Sequence, residues 1–318
     1  KLCLIWRTYF VCLANSSRVC HGVLQYHATK QSIGSYLKEF GCSVVGPIFE
    51  QPNFVPNSKP IVCTYHGRGS NDSLLNPKYR VCGVFGDPHL RTFGQQFETC
   101  GILGAWPMVD NEHYTVQITA EGHRGGSIVT KATVMIKKDE ECASPHHYLL
   151  YQATSNDLPP TFEDGSTSAG PQDSVKLTHV QSGRHVTITL RHLDVTISIR
   201  KILNTVSVFI RTHDDFVQHA GIGNRESVQL CSVGCPGSLR IDLTSPEKLS
   251  SKKSSPSLYQ KSSSSSSPTT TVTFNASLYI CKSRHPLLRG YFLESCVHDV
   301  MKSGDPEMTV VSYVAMNE

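Results

Sequence analysis

The sequence predicts an α+β protein in which a small, disulfide-stapled three-helix bundle precedes an antiparallel β-sandwich with C-terminal helices. Apolar residues recur at helical spacing up to residue 42, alternate in short segments after Cys82, and return to helical spacing after Pro286. The chain has 318 residues, which is the length of about two domains. Its hydrophobic content of 39% is sufficient for real cores.

The first element is a helical N-terminal domain, predicted over residues 1–43. Cys3, Cys12 and Cys20 follow one another at intervals of nine and eight residues. These intervals are roughly two helical turns each, so the three side chains can fall on related faces. Apolar residues continue near helical spacing until Gly41, which is expected to end the helix. A bundle of this size needs its disulfides for stability.

Two segments show neither helical nor strand periodicity. Residues 44–80 contain five prolines and are predicted to be a linker. Residues 245–271 include six consecutive serines and are predicted to be a disordered insert, because such a composition buries too little apolar surface to order itself.

Short strands are predicted within the second domain, which we place at residues 81–318. The alternating segments are 114–118, 129–136, 175–177, 186–190, 195–199 and 206–210. Turn residues separate them at the spacing typical of an antiparallel sandwich. A helix is predicted to begin at Pro286, with Phe292, Cys296 and Val300 at intervals of four. Cys281 and Cys296 would tie this segment either to itself or back to the sheet.

Composition and cysteine usage indicate an extracellular protein. The twelve cysteines are dispersed without a Cys-x-x-Cys pair, which favours disulfides formed in an oxidising compartment over a metal site. Asn-x-Ser sequons at Asn15, Asn71 and Asn275 agree with glycosylation there. A net charge of +4 is too small to indicate nucleic-acid binding. No apolar run reaches the ~18 residues of a membrane span, so membrane attachment would need a lipid anchor absent from this chain.

The usual motifs of nucleotide-binding, metalloprotease and serine-hydrolase sites are absent, so we predict neither a turnover enzyme nor a cofactor. The Asp87–Pro88 bond, in contrast, has its own chemistry. The Asp87 carboxylate can attack its own main-chain carbonyl and form a cyclic anhydride, with the imino nitrogen of Pro88 as the leaving group. His89 could supply the proton, and Gly86 permits a strained approach. The alternative is an ordinary turn dipeptide.

Longer motifs identify a family. The stretch Gly-Asp-Pro-His-Leu-Arg-Thr-Phe at 86–93, followed by Cys100 and Gly-Ala-Trp-Pro at 104–107, resembles the partial von Willebrand factor type D domain. The cysteine pattern starting at Cys3, and Cys231-x3-Cys235-Pro, extend the match. Nearly the whole chain is similar to the repulsive guidance molecule family, which includes hemojuvelin.

The resemblance implies a secreted co-receptor on the outer face of the plasma membrane, usually held by a glycosylphosphatidylinositol anchor. It implies self-cleavage at Asp87–Pro88, with the two halves joined by the pairs Cys63–Cys142 and Cys82–Cys231. It also implies signalling outcomes such as axon guidance. The competing interpretations are an adhesive type D module without a growth-factor role, and an unrecognised hydrolase.

Two sets of binding residues follow from the resemblance. The helical domain of the family binds bone morphogenetic proteins, and the type D-like domain binds the receptor neogenin. The predicted growth-factor contacts are Leu24, Tyr26, His27 and Ile33, and the predicted receptor contacts are Ala105, Trp106 and Pro107. The simpler alternatives are a partly buried helix face and a tight strand corner. The family usually has two further cysteines upstream of Cys3, so either the four N-terminal cysteines here pair among themselves or two of them lack partners.

Overall fold

The structure, a computed structural model, describes residues 2–16, 20, 24–48, 63–65, 79–123, 126–139, 141–144, 148–214, 217, 229–243 and 272–318. The predicted Ser-rich insert and most of the predicted linker lie outside these residues. The chain divides into two compact units, Lys1–Pro60 and Ile61–Glu318. No helix among the described residues is long and apolar enough to cross a membrane.

The first unit contains helices α1 (Leu2–Asn15) and α2 (Leu24–Glu39). The disulfide Cys3–Cys42 joins the start of α1 to the residues after α2. Ile33 and Leu37 of α2 are buried. A third helix remains a prediction, because residues 17–19 and 21–23 lie outside the described part. Cys12 and Cys20 form no disulfide.

The second unit contains antiparallel strands in two sheets, which agrees with the predicted α+β class. The strands are β1 (Tyr79–Phe85), β2 (His89–Arg91), β3 (Phe97–Cys100), β4 (Gly104–Asp110), β5 (Tyr114–His123), β6 (Gly126–Ile136), β7 (Leu149–Thr154), β8 (Ser168–Ala169), β9 (Val175–Gln181), β10 (His185–Leu190), β11 (Val195–Ile202), β12 (Thr205–His213) and β13 (Arg240–Ile241). One sheet has the order β13-β3-β2-β1-β12-β11-β10-β9-β8, and the other has the order β4-β5-β6-β7. All six predicted strand segments fall in observed strands. The likeness to a type D domain remains a prediction.

Each sheet contributes one face to a shared hydrophobic core. Alternate residues such as Ile118 and Val134 from the four-stranded sheet, and Ile197 and Val208 from the nine-stranded sheet, are fully buried in it. Successive side chains of a strand point to opposite faces. Val84 therefore enters this core, whereas the next residue, Phe85, enters a second core on the other face of the nine-stranded sheet.

The second core is formed with the C-terminal helices. The described part of this unit contains helices α3 (Leu230–Val233), α4 (Phe274–Arg284), α5 (Tyr291–Ser303) and α6 (Thr309–Met316). It also contains short 3-10 helices at Pro171–Asp173, Arg191–Leu193, Gly237–Leu239 and Pro306–Met308. Val297 and Val300 of α5 pack with Phe85 in this core. The C-terminal helices therefore cover the sheet face opposite the first core.

The sequence predicted a helix that begins at Pro286, but helix α5 begins five residues later, at Tyr291. Gly290 precedes it with φ of +54°, a non-helical conformation that sets the start of the helix. The disulfide Cys281–Cys296 joins α4 to α5. It therefore ties the C-terminal segment to itself, which was one of the two alternatives.

Candidate functional site

The Asp87–Pro88 bond lies in the turn between β1 and β2. Phe85 pairs with His89 across this hairpin, so Gly86, Asp87 and Pro88 form a three-residue connection. Gly86 has φ of +61°, and a Cβ atom there would lie 2.4 Å from Oδ2 of Asp299. Both the conformation and the space therefore require glycine at this position.

The Asp87 carboxyl is held inside the protein, with only 5% of the residue exposed. Its Oδ1 accepts a hydrogen bond of 2.8 Å from the backbone N–H of Ser127 in β6. Its Oδ2 has no hydrogen-bond partner among the described residues. Burial raises the pKa of this carboxyl above its usual range, although the electrostatic effect of His298 lowers it in part. Burial therefore favours the protonated acid more than in an exposed aspartate.

His89 is fully buried, and both of its ring nitrogens have partners. Nδ1 lies 2.9 Å from Oγ1 of Thr99, and Nε2 lies 2.8 Å from Oδ1 of Asp299. Oγ1 of Thr99 in turn lies 2.8 Å from the hydroxyl of Tyr291. The imidazole next to the Asp–Pro bond is thus fixed by a network that spans β2, β3 and α5.

Sequence reasoning missed two site residues, His298 and Asp299, which α5 brings over the turn. Both are fully buried. The backbone N–H of Asp87 donates a hydrogen bond of 3.3 Å to Oδ1 of Asp299. Burial alone would raise the pKa of Asp299, but His89 and His298 outweigh it and lower the pKa to about 2. The available signal was a pair of polar residues inside the otherwise apolar buried stretch 296–300.

A small cavity adjoins these groups. Its volume is about 20 Å³, and its lining includes Asp87, Ser127 and Asp299. A cavity of ~10–15 Å³ suffices for one water molecule. The site therefore has room for a single water beside the Asp87 carboxyl.

The same groups include the residue types that bind metal ions. Ligand atoms of His89, His298 and Asp299 all lie within 4.8 Å of one another. However, His89 and Asp299 are already hydrogen-bonded to each other, which accounts for their proximity without an ion. The sequence expectation of no metal remains a prediction.

Two disulfides connect the chain before the turn with the chain after it. They join Cys63 to Cys142 and Cys82 to Cys231. In each pair the first cysteine precedes Asp87 and the second follows Pro88. Cys100 and Cys235 are buried and form no disulfide in the structure.

The second Asp–Pro bond of the chain has a different environment. Asp305 caps the 3-10 helix that follows, and its Oδ1 accepts a hydrogen bond of 2.9 Å from the N–H of Glu307. No histidine follows Pro306. This bond therefore serves as an internal control for chemistry at Asp87.

The predicted growth-factor contacts lie in α2 but differ in exposure. Tyr26 and Ile33 are buried within the unit, and the Tyr26 hydroxyl donates a hydrogen bond of 2.9 Å to the carbonyl of Leu13. His27 is exposed and contacts the ring of Tyr26 edge-on at 5.1 Å. Leu24 is the first residue of the helix.

The predicted receptor contacts lie in β4, an edge strand of its sheet. Ala105 is exposed, whereas Trp106 and Pro107 are half-buried. The Trp106 indole donates a hydrogen bond of 2.9 Å to the carbonyl of Leu103. Proline is tolerated on an edge strand because its missing N–H is not needed by a neighbour.

Of the sequon asparagines, Asn15 and Asn275 are exposed at helix positions, as a glycan requires. Asn71 lies outside the described residues.

Both units of this chain match domains of known proteins in sequence. Residues 78–318 match the sequence model of the repulsive guidance molecule (RGM) C-terminal domain, and residues 1–44 match that of the RGM N-terminal domain. Over the whole chain, the protein is 30% identical to repulsive guidance molecule A of Gallus gallus, covering 75% of that protein. It is 32% identical to repulsive guidance molecule B of Homo sapiens and 31% identical to hemojuvelin of Homo sapiens, covering 72% of each.

These similarities define an extracellular or cell-surface co-receptor and not an enzyme. The chain belongs to the repulsive guidance molecule family, which confirms the family predicted from the sequence motifs.

Proposed function

We propose that this co-receptor binds bone morphogenetic proteins through its N-terminal domain and neogenin through its C-terminal unit. We also propose that it cuts its own chain once, at Asp87–Pro88. The match of residues 1–44 to the RGM N-terminal domain supports this proposal over an adhesive module. The observation that carries the self-cleavage is the buried Asp87 carboxyl, which is clamped in a tight turn next to its own peptide carbonyl.

The clamped carboxyl favours intramolecular attack. The N–H of Ser127 fixes one carboxyl oxygen, and the N–H of Asp87 is held by Asp299. Fixing a nucleophile beside its target replaces a rare collision by a nearly unimolecular step, which is worth an effective molarity of ~10⁵ M or more. Attack on the main-chain carbonyl carbon would form a five-membered cyclic anhydride and release the nitrogen of Pro88. Water would then open the anhydride to two carboxyl groups.

Gel electrophoresis tests the cleavage directly. The purified protein should run as one band without reductant, because Cys63–Cys142 and Cys82–Cys231 span the cut. With reductant it should run as two bands, and the new N-terminus should be Pro88. The variant Asp87→Ala should run as one band under both conditions, and the control Asp305→Ala should be cut like the wild type. A single reduced band from the wild type would refute self-cleavage.

Exposed apolar residues at the C-terminal end of α2 and directly after it support the growth-factor site. Tyr36 and Phe40 are 41% and 48% exposed and lie one helical turn apart. His27 is the exposed member of the predicted contact set, and the buried Tyr26 and Ile33 would support the helix from within. An imidazole can gain a proton between neutral and endosomal pH. A growth-factor contact that requires the uncharged ring would then weaken.

Surface plasmon resonance against a panel of bone morphogenetic proteins tests this site at neutral and mildly acidic pH. The wild type should bind less tightly in acid, and His27→Ala should remove that difference. The same pH dependence in both proteins would contradict a role for His27 in acid release.

The exposed edge of β4 supports the receptor site. Ala105 has a small side chain, and Leu103 before it is 62% exposed, so a partner can approach the edge closely. Ala105→Arg should abolish binding to neogenin and leave growth-factor binding intact. Loss of both activities would indicate misfolding, and retained neogenin binding would rule out this edge.

Membrane attachment completes the proposal. We expect the protein to carry a glycosylphosphatidylinositol anchor on the cell surface, as the family resemblance implies. A phospholipase specific for phosphatidylinositol should release it from the cell surface, and retention on treated cells would contradict the anchor.

A further inference from the structure

We infer that His298 transfers the proton in the self-cleavage: it accepts the proton of the Asp87 carboxyl and passes it to the nitrogen of Pro88. This inference rests on the proposed cleavage at Asp87–Pro88. It assigns the proton transfer to a residue 211 positions away in the chain, on α5, and not to His89.

The position of His298 supports this role. The residue is fully buried, and its Nδ1 lies 3.6 Å from Oδ2 of Asp87 and 3.7 Å from Oδ1 of Asp299. Neither ring nitrogen has a hydrogen-bond partner within 3.5 Å among the described residues, and neither does Oδ2 of Asp87. Buried polar atoms without hydrogen bonds destabilise a fold. Two such atoms that face each other across 3.6 Å are placed for a proton transfer that a small movement completes.

His89 is less suited to this role, although it follows Pro88 directly. Its Nδ1 is engaged by Thr99 and its Nε2 by Asp299, at 2.9 and 2.8 Å. A ring with both nitrogens engaged has to break one of these hydrogen bonds before it can exchange a proton with Asp87 or Pro88. The His298 ring meets the His89 ring edge-on at 5.5 Å between centroids. We therefore treat His89 as a positioning residue that holds Asp299 in place.

The proton balance closes within these residues. Burial raises the pKa of the Asp87 carboxyl and so favours its protonated form, which is the starting state of the proposed transfer. His298 takes that proton, and the resulting carboxylate oxygen forms a bond to the main-chain carbonyl carbon of Asp87. The bond from this carbon to the nitrogen of Pro88 breaks, and that nitrogen receives the proton from His298. The products are a cyclic anhydride and a free imino group, without net uptake or release of a proton.

The second step needs one water molecule. Hydrolysis of the anhydride consumes one water and yields the side-chain and main-chain carboxyl groups of Asp87. The cavity of about 20 Å³ beside Asp87 and Asp299 has the size for that water. Oδ2 of Asp299 has no partner among the described residues and can accept a hydrogen bond from it.

Replacement of His298 tests the inference. General acid–base catalysis contributes about 10²–10⁴-fold to a rate, so His298→Ala and His298→Gln should slow cleavage by at least about 10²-fold. The uncut His298→Ala protein is purified and incubated with imidazole, or with sodium chloride at the same concentration. Imidazole should restore cutting at Pro88, seen as two bands on a reducing gel, and the salt should not.

The control is His185→Ala, which also removes a buried imidazole. His185 is 8% exposed and hydrogen-bonded to Ser198 at 3.0 Å, in β10 and outside the turn. This variant should be cut at the wild-type rate. Thermal melting identifies folded proteins, and His298→Gln, which keeps size and polarity, serves if His298→Ala does not fold.

Each outcome is decisive. Folded His298 variants that are cut at the wild-type rate would overturn the inference and leave the self-cleavage intact. A folded His298→Ala variant that stays uncut with imidazole would also overturn it, because His298 would then only position other groups. An uncut wild type would instead refute the proposed cleavage itself.

Discussion

Replacement of Gly126 by alanine is expected to slow self-cleavage without unfolding the protein. A Cβ atom at this position would lie 2.3 Å from Oδ2 of Asp87, whereas an ordinary contact is 3.4–4 Å. The carboxyl oxygen must therefore move by about 1 Å, and a misplacement of this size costs about 10²-fold in rate. The clash involves the end of a side chain, which can rotate away, so the fold should tolerate the substitution.

The assay follows the fraction of cut chain on reducing gels after synthesis, with thermal melting as a measure of folding. Gly122→Ala is the matched control. Gly122 lies opposite Ser127 in the same hairpin of β5 and β6, and a Cβ atom there meets nothing within 4 Å. Gly122→Ala should be cut normally. If Gly126→Ala is cut to the same extent as the wild type, the Asp87 carboxyl does not attack from the position seen in the structure.

Three further predictions concern stability. The pKa of Asp299 falls from 3.8 to about 2 in the fold, because His89 and His298 together outweigh the effect of burial. This shift corresponds to about 2 kcal/mol. This stabilisation is complete above about pH 4 and is lost as the pH falls towards 2. The difference in unfolding free energy between wild type and Asp299→Asn should therefore shrink over that range. A difference that stays constant with pH in urea titrations would contradict this prediction. Replacing both Cys281 and Cys296 by serine opens a disulfide that spans 15 residues and should lower the unfolding free energy by about 3 kcal/mol, whereas an unchanged urea midpoint would argue against that bond. Leu37→Ala truncates a side chain that is 1% exposed and should lower the unfolding free energy of the N-terminal domain by about 2–5 kcal/mol. Circular dichroism measures this loss, and the control Leu2→Ala should lower the unfolding free energy much less.

Local sequence patterns predicted most of the second unit. Strands β5, β6 and β9–β12 follow from alternating β-branched residues, because alternation places one apolar face on a core. The start of α5 was predicted five residues early, since apolar spacing alone does not register the backbone conformation of Gly290. Helix α4 was not predicted, although Thr273 accepts a capping hydrogen bond from the N–H of Ala276.

The candidate site was predicted only in its local part. Asp87, Pro88 and His89 were found because the chemistry of an Asp–Pro bond can be read from neighbouring residues. His298 and Asp299 were missed because only the packing of α5 over the β1–β2 turn brings them there. A buried His–Asp pair on an otherwise apolar helix face is the signal to look for, and a partner must then be sought elsewhere in the fold.

The order of the strands determines what a cut at Asp87–Pro88 would leave behind. Strand β1 pairs with β2 on one side and with β12 on the other, and both of these neighbours lie after the cut. Among the described residues, the first fragment would therefore contribute one strand, β1, to the middle of a sheet formed by the second fragment, as in strand complementation between separate chains. Removal of that strand would open two rows of backbone hydrogen bonds at once. The fragments should therefore stay associated in native buffer even after both bridging disulfides are reduced, and should separate only on unfolding.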